Sequence, residues 1–197
     1  MIEIGDAKGL IFDCDGTLVD SMPLHMEAWK HAFQIMKEDY NYAYLDSKKG
    51  MKESEIIELY NKEFNKRLNP EAIIKIKHEY FNNQLKFLKP IAPVVDLVFQ
   101  YHRKLPMGVV SGSLRKTVHA ELEIIGIIEK FDYILTADDN FKPKPAPDKF
   151  LEAARLMKLN PEDCLVFEDG DLGIKAAQLA GMKTMDVRNV INASLFY

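Results

Sequence analysis

The sequence predicts an α/β protein in which a doubly wound parallel sheet carries an inserted all-helical domain. Three observations predict it. Short, continuous apolar runs recur along the chain, helical patterns separate the later runs, and one connection, from Asp20 to Pro90, holds helical patterns only. Continuous apolar runs suit parallel strands covered on both faces. Repeated strand–helix–strand order winds such strands into one open sheet.

In chain order, the strands are expected at Gly9–Phe12, Met107–Val110, 133–136, 164–167 and 184–187. The helix over 114–125 places Val118, Leu122 and Ile125 on one face, and the helix over 147–157 does the same with Phe150, Ala153, Ala154 and Met157. A short Ala-rich helix over 171–180 ends at Gly181, a C-capping residue type. Between Asp20 and Pro90 helices are expected near 23–37, 53–66 and 70–89. A crossover of this size reads as an inserted domain rather than a loop. Residues 1–20 and 90–197 then form the core, and 21–89 the insertion. The insertion leaves the sheet at the carboxyl end of the first strand, where open α/β sheets bind ligands, so it is placed to act as a lid.

Composition narrows the function classes. The chain has 197 residues, 47% of them hydrophobic and 28% charged, which suits a packed globular protein and not a disordered one. A net charge of −4 with no long basic run argues against nucleic-acid binding. No apolar run approaches the roughly 20 residues that span a bilayer, and residues 1–9 lack a signal pattern. Cys14 and Cys164 form neither a CxxC pair nor a zinc-ligand spacing, so a cytoplasmic protein with two free thiols is expected.

Four motifs carry chemistry. The first strand runs into Asp13-Cys14-Asp15-Gly16-Thr17. Strand alternation sends Asp13 and Asp15 the same way, and two such carboxylates repel unless a cation or a proton intervenes. Mg²⁺ suits oxygen ligands of this kind. Asp and Gly are also ordinary turn formers after a strand. Ser111-Gly112-Ser113 closes the second strand, where a hydroxyl and free backbone N–H groups can hold phosphate oxygens, or a serine can simply cap a helix. Lys142-Pro143-Lys144-Pro145-Ala146-Pro147-Asp148 is a proline-stiffened loop that can fix a lysine against a phosphate, although lysines are usually solvated. Glu168-Asp169-Gly170-Asp171 follows the fourth strand and would complete a metal site, with one aspartate expected to cap the next helix. Each motif has a bland reading; all four fall at carboxyl ends of expected parallel strands.

In this order and spacing the motifs resemble those of the haloacid dehalogenase superfamily of phosphatases. Asp13-x-Asp15-Gly16-Thr17-x-x-Asp20, Ser111, Lys144 with Pro145-Ala146-Pro147-Asp148, and Glu168-Asp169 match its four motifs over essentially the whole chain. The resemblance is greatest to the β-phosphoglucomutase-like branch, and within it to compact phosphatases of fructose 1-phosphate and 6-phosphogluconate. It implies a Rossmann-like core with a small helical cap, a cytoplasmic monomer, Mg²⁺ as cofactor and a small sugar phosphate as substrate. It implies Asp13 as nucleophile and Asp15 as general acid and base. Asp13, Asp15 through its carbonyl, Glu168 and Asp169 would serve the metal. Ser111 and Lys144 would hold the phosphoryl group, with Thr17 and Ser113 as further candidates. Lys144 and not Lys142 fits the Lys-Pro-x-Pro-Asp spacing. Asp171 is expected only to orient. Asp15 argues against a dehalogenase, which usually lacks the second aspartate.

In the insertion, residues 47–55 contain Lys48, Lys49, Gly50 and Lys52 and resemble the branch's specificity loop. His25 matches a substrate-facing position, with Trp29 one turn later as packing. Mutase relatives grip a second phosphate with an arginine and a lysine; Glu53 stands at the first position here and Lys77 at the second. That departure favours a hydrolase over a β-phosphoglucomutase. A silent binding protein would show a broken motif, and none is broken.

Overall fold

β1 (Gly9–Phe12) is apolar and fully buried, which requires cover on both faces and neighbours on both edges. The computed structural model, which describes residues 2–49 and 51–194, supplies both. Five parallel strands run in the order β3-β2-β1-β4-β5, where β2 is Met107–Val110, β3 Tyr133–Leu135, β4 Cys164–Glu168 and β5 Lys183–Asp186. Phe12 lies opposite Val109 on one side and Phe167 on the other. The chain steps outward from β1 through β2 to β3, then crosses back to β4 and β5. Ligand sites in such sheets lie at the carboxyl ends where this order reverses, beside β1 and β4.

Three strands differ from expectation at their ends. β3 stops at Leu135 because the Thr136 backbone N–H and hydroxyl turn to the Asp139 carboxylate. β4 runs one residue further, through Glu168 paired with Asp186. β5 begins and ends one residue early: Asp186 accepts the Arg188 N–H at 3.0 Å, the bond of a helix N-cap, so Val187 opens a helix.

The chain divides into two compact units, Met1–Asp20 with Lys89–Tyr197, and Ser21–Leu88. In the sheet unit, helices α5 (Ala92–Tyr101), α6 (Arg115–Ile124), α7 (Asp148–Met157), α8 (Asp171–Leu179) and α9 (Val187–Ser194) accompany the strands. α8 ends as expected: Gly181 takes a φ of +77°, and the N–H groups of Gly181 and Met182 return to Gln178 and Ala177. One core cluster of this unit joins Ile11, Val110 and Val166 of the sheet to Phe150 and Ala153 of α7 and Ala176 of α8.

The second unit holds α1 (Met22–Ile35), α2 (Tyr42–Asp46), α3 (Glu53–Glu63), α4 (Pro70–Gln84) and a short 3-10 turn, Leu85–Phe87. Asn41 caps α2 and Asn69 caps α4. Phe33, Tyr60, Ile57 and Ile73 fill its core. α1 and α3 are shorter than expected because positive-φ residues, Lys37 and Asn65, follow them, and α4 gives way at Leu85 to the 3-10 turn. Gly50 lies outside the described residues. Among the described residues no helix is long and apolar enough to cross a membrane.

Candidate active site

The site begins where β1 ends. The Asp13 N–H donates to Phe167 O at 3.0 Å, so Asp13 stays in register with β4. A tight turn follows, in which the N–H groups of Thr17, Leu18 and Val19 all converge on the Cys14 carbonyl. Gly16, at φ +77°, permits that turn, and a side chain there would collide with the Asp169 carboxylate. Gly173 plays the same part on α8, where an added Cβ would occupy the place of the Glu168 carboxylate. Two glycines thus make room for two acids.

Carboxylate oxygens of Asp13, Glu168 and Asp169 lie within 4.8 Å of one another. Lys144 joins the group, donating to Asp13 Oδ1 at 2.6 Å and Glu168 Oε2 at 3.3 Å. Lys142, two residues away, is exposed. Ser111 is buried, donates its N–H to Leu135 O at 2.9 Å, and accepts the Ser113 N–H on its hydroxyl at 2.9 Å. Two hydroxyls expected near a phosphoryl group meet carboxylates: Thr17, fully buried, donates to Asp169 Oδ1 at 3.1 Å, and Ser113 donates to Asp15 Oδ2 at 2.6 Å.

Charge in this group is not balanced. Burial first, and the charge of Glu168 second, push the Asp13 carboxyl well above its ordinary value, against the pull of Lys144. Burial likewise raises Glu168 to about 7, against the pull of Lys144. Asp169 is raised by burial despite the Thr17 hydrogen bond. Burial would lower the Lys144 ammonium, but Asp13 and Glu168 hold it above its ordinary value. Three acids and one ammonium in a desolvated pocket form a strong receptor for a further positive charge.

The remaining expected residues have partners of their own. Asp171 is exposed and pairs with Arg188 at 2.8 Å. Neither Asp169 nor Asp171 caps α8, whose N-cap is Gly170, because Asp169 is turned to Thr17 and Asp171 already lies in the helix. In the helical unit, Lys77 is buried; its ammonium lies 2.9 Å from His25 Nδ1, pairs with Glu53, and sits over the rings of Trp29 and Phe81. His25 stacks on Phe81 at 4.2 Å. Lys49 is exposed and pairs with Asp46.

Two buried ionisable residues near the site escaped sequence reasoning. Glu121, on α6, accepts the Cys14 thiol at 3.3 Å. Burial and the charge of Asp15 push its carboxyl up to about 10. Lys149, on α7, donates to the Ser111 carbonyl at 2.9 Å. One signal was available for each: both interrupt the apolar face of an otherwise regular amphipathic helix.

The family model for haloacid dehalogenase-like hydrolases matches residues 10–187, the span that holds all four motifs. The chain belongs to that family. It is 36% identical to fructose-1-phosphate phosphatase YqaB of Escherichia coli, over 91% of this chain and 96% of that protein. It is 28% identical to the β-phosphoglucomutase of Bacillus subtilis, over 91% of this chain and 83% of that one. A hydrolase from Pseudomonas syringae shares its fold with a TM-score of 0.78 at 24% identity, covering 90% of this chain and 83% of that one. Family membership makes the acids at the carboxyl ends of β1 and β4 the candidate catalytic centre.

Proposed function

We propose that the chain is a Mg²⁺-dependent phosphatase acting on a small sugar phosphate of the fructose 1-phosphate kind. The observation that carries this reading is the contact of Lys144 with Asp13 inside the group of Asp13, Glu168 and Asp169. It pairs a nucleophile with the charge that receives a phosphoryl group. Mg²⁺ fits the donor set, which is all oxygen and carries excess negative charge. Asp13, Glu168, Asp169 and the Asp15 carbonyl would hold it, and once bound it supplies positive charge against the phosphoryl oxygens.

The protein's own groups do the rest. An Asp13 carboxylate oxygen attacks phosphorus; the bond to the sugar oxygen breaks as Asp15 gives that oxygen its proton. Water then attacks the aspartyl phosphate, its proton passes to Asp15, and inorganic phosphate leaves. Ser111 and Lys144 stabilise the phosphoryl oxygens. Ser113 holds Asp15 and Thr17 holds Asp169 through the bonds described above. In the helical unit, His25, Lys49 and Lys77 are the candidates for sugar recognition.

The similarity to a β-phosphoglucomutase favours a second reading, phosphoryl transfer between sugar hydroxyls. The pairing of Lys77 with Glu53 supports hydrolysis instead, because it spends on a carboxylate the cation that would hold a second phosphate. We read the enzyme as a cytoplasmic monomer with no nucleic-acid or membrane partner. Phosphate release over a panel of sugar phosphates, with and without Mg²⁺, tests the proposal: Mg²⁺-dependent release from a hexose phosphate is expected. No release from any phosphomonoester, or glucose 6-phosphate formed from β-glucose 1-phosphate with a bisphosphate primer, would overturn it.

A further inference from the structure

Lys149 is a lysine on the buried side of an amphipathic helix. Its residue is 5% exposed, and Phe150, Ala153, Ala154 and Met157 of the same helix face the core. Burying an ammonium is costly unless partners compensate. Here burial lowers the Lys149 ammonium below its ordinary value, Lys144 lowers it further, and Asp139, Asp13 and Asp138 act in the opposite direction. A leucine or methionine would fit such a position more cheaply, so stability alone does not account for the charge.

What the charge touches does. The Lys149 ammonium donates to the carbonyl of Ser111 at 2.9 Å. Leu135 holds the Ser111 N–H, and the Ala137 N–H holds the Ser113 carbonyl at 2.9 Å. The Ser111–Ser113 turn is therefore pinned on its β3 side by backbone bonds and on its α7 side by Lys149. The same turn carries the Ser111 hydroxyl and the Ser113 contact to Asp15.

We propose that Lys149 is a positioning residue: by holding the Ser111 carbonyl it sets the turn that presents Ser111 to the phosphoryl group and Ser113 to Asp15. The inference rests on the phosphatase reading above. Misplacing catalytic groups by about an ångström can cost around a hundredfold in rate. Loss of one pin out of several is expected to cost between about tenfold and a hundredfold in kcat/KM.

The test compares wild type, Lys149→Met and Lys149→Arg with p-nitrophenyl phosphate in Mg²⁺, alongside competitive inhibition by inorganic phosphate. Lys149→Met is expected to keep or raise the melting temperature while kcat falls and phosphate inhibits more weakly; Lys149→Arg, which keeps a donor, is expected to recover most of the loss. A Lys149→Met enzyme with unchanged kcat and unchanged inhibition by phosphate overturns the proposal, as does one that loses thermal stability alone. If the Met variant does not fold, Lys149→Ala, which relieves any misfit, carries the same comparison. A wild type that turns over no phosphomonoester sinks the phosphatase reading instead, so the two failures are distinct.

Discussion

The two units bury charge in opposite ways. In the helical unit Lys77 is matched on the spot: Glu53 pairs with it, and His78 takes the other Glu53 oxygen at 2.6 Å. Burial alone would raise the Glu53 carboxyl, but His78 and Lys77 overcome it and hold it at about 2. At the carboxyl ends of β1 and β4 the acids outnumber Lys144, and burial pushes Asp13, Glu168 and Asp169 up. A settled ion pair serves the fold that contains it. An unsettled one is tolerated where a ligand can complete it, and that contrast is what makes the acids of the sheet unit the candidate site.

Substitutions can break the contrast from either side. The largest effect is expected from Asp13→Asn, which removes the proposed nucleophile: phosphate release should fall at least about a thousandfold. Thermal stability should hold or rise, because one of the crowded acids is gone; a marked fall in melting temperature would mean that Asp13 belongs to the fold. Glu53→Ala should do the reverse. It strands Lys77 in the helical core and is expected to cost about 3 kcal/mol by denaturant titration. Because the folded Glu53 carboxyl lies below its ordinary value of 4.5, its contribution is present above that pH and is lost as pH falls toward about 2. The stability gap between Glu53→Ala and wild type should therefore close in acid; a gap that stays constant would count against the ion pair. Mg²⁺ sharpens the contrast further. At about a hundredfold over its Kd it should stabilise the wild type by about 2.7 kcal/mol, and Glu53→Ala by the same increment, whereas Asp169→Asn should respond little.

The sheet and its acids were legible because parallel strands buried on both faces are continuous apolar runs, and because the acidic motifs begin where those runs stop. Gly9–Phe12 and Met107–Val110 could be read to the residue. Other features depend on contacts that spacing does not encode. α2 is five residues long, too short to show a period. The β-branched run Val94, Val95 and Val98 disguises α5, which Pro93 in its first turn helps to start. Spacing does not show that Lys77 and Glu53 pair, because only helix packing makes them neighbours. The hydroxyls of Thr17 and Ser113 are plain in the sequence, but only tertiary geometry shows which acceptor each one meets.

Glu121 settles its charge in a third way, by keeping its proton. It lies in the sheet unit, fully buried, with the Cys14 thiol donating to one carboxyl oxygen and no hydrogen-bond partner for the other among the described residues. Burial first, and the charge of Asp15 second, raise its carboxyl to about 10, against an ordinary 4.5. The folded protein thus keeps a proton that the unfolded chain releases once pH passes the ordinary value. Stability must therefore fall as pH rises from about 4.5 toward 10, the opposite direction to Glu53. Glu121→Gln preserves the shape, cannot ionise, and removes that slope. Its advantage over wild type should grow between about pH 5 and about pH 9, reaching on the order of 1–2 kcal/mol once relaxation around the buried acid is allowed for. Thermal melts of the two proteins at matched pH values measure it. An advantage that does not change with pH would mean that Glu121 ionises in the folded state, and that the sheet unit tolerates one more unsettled charge beside Asp15.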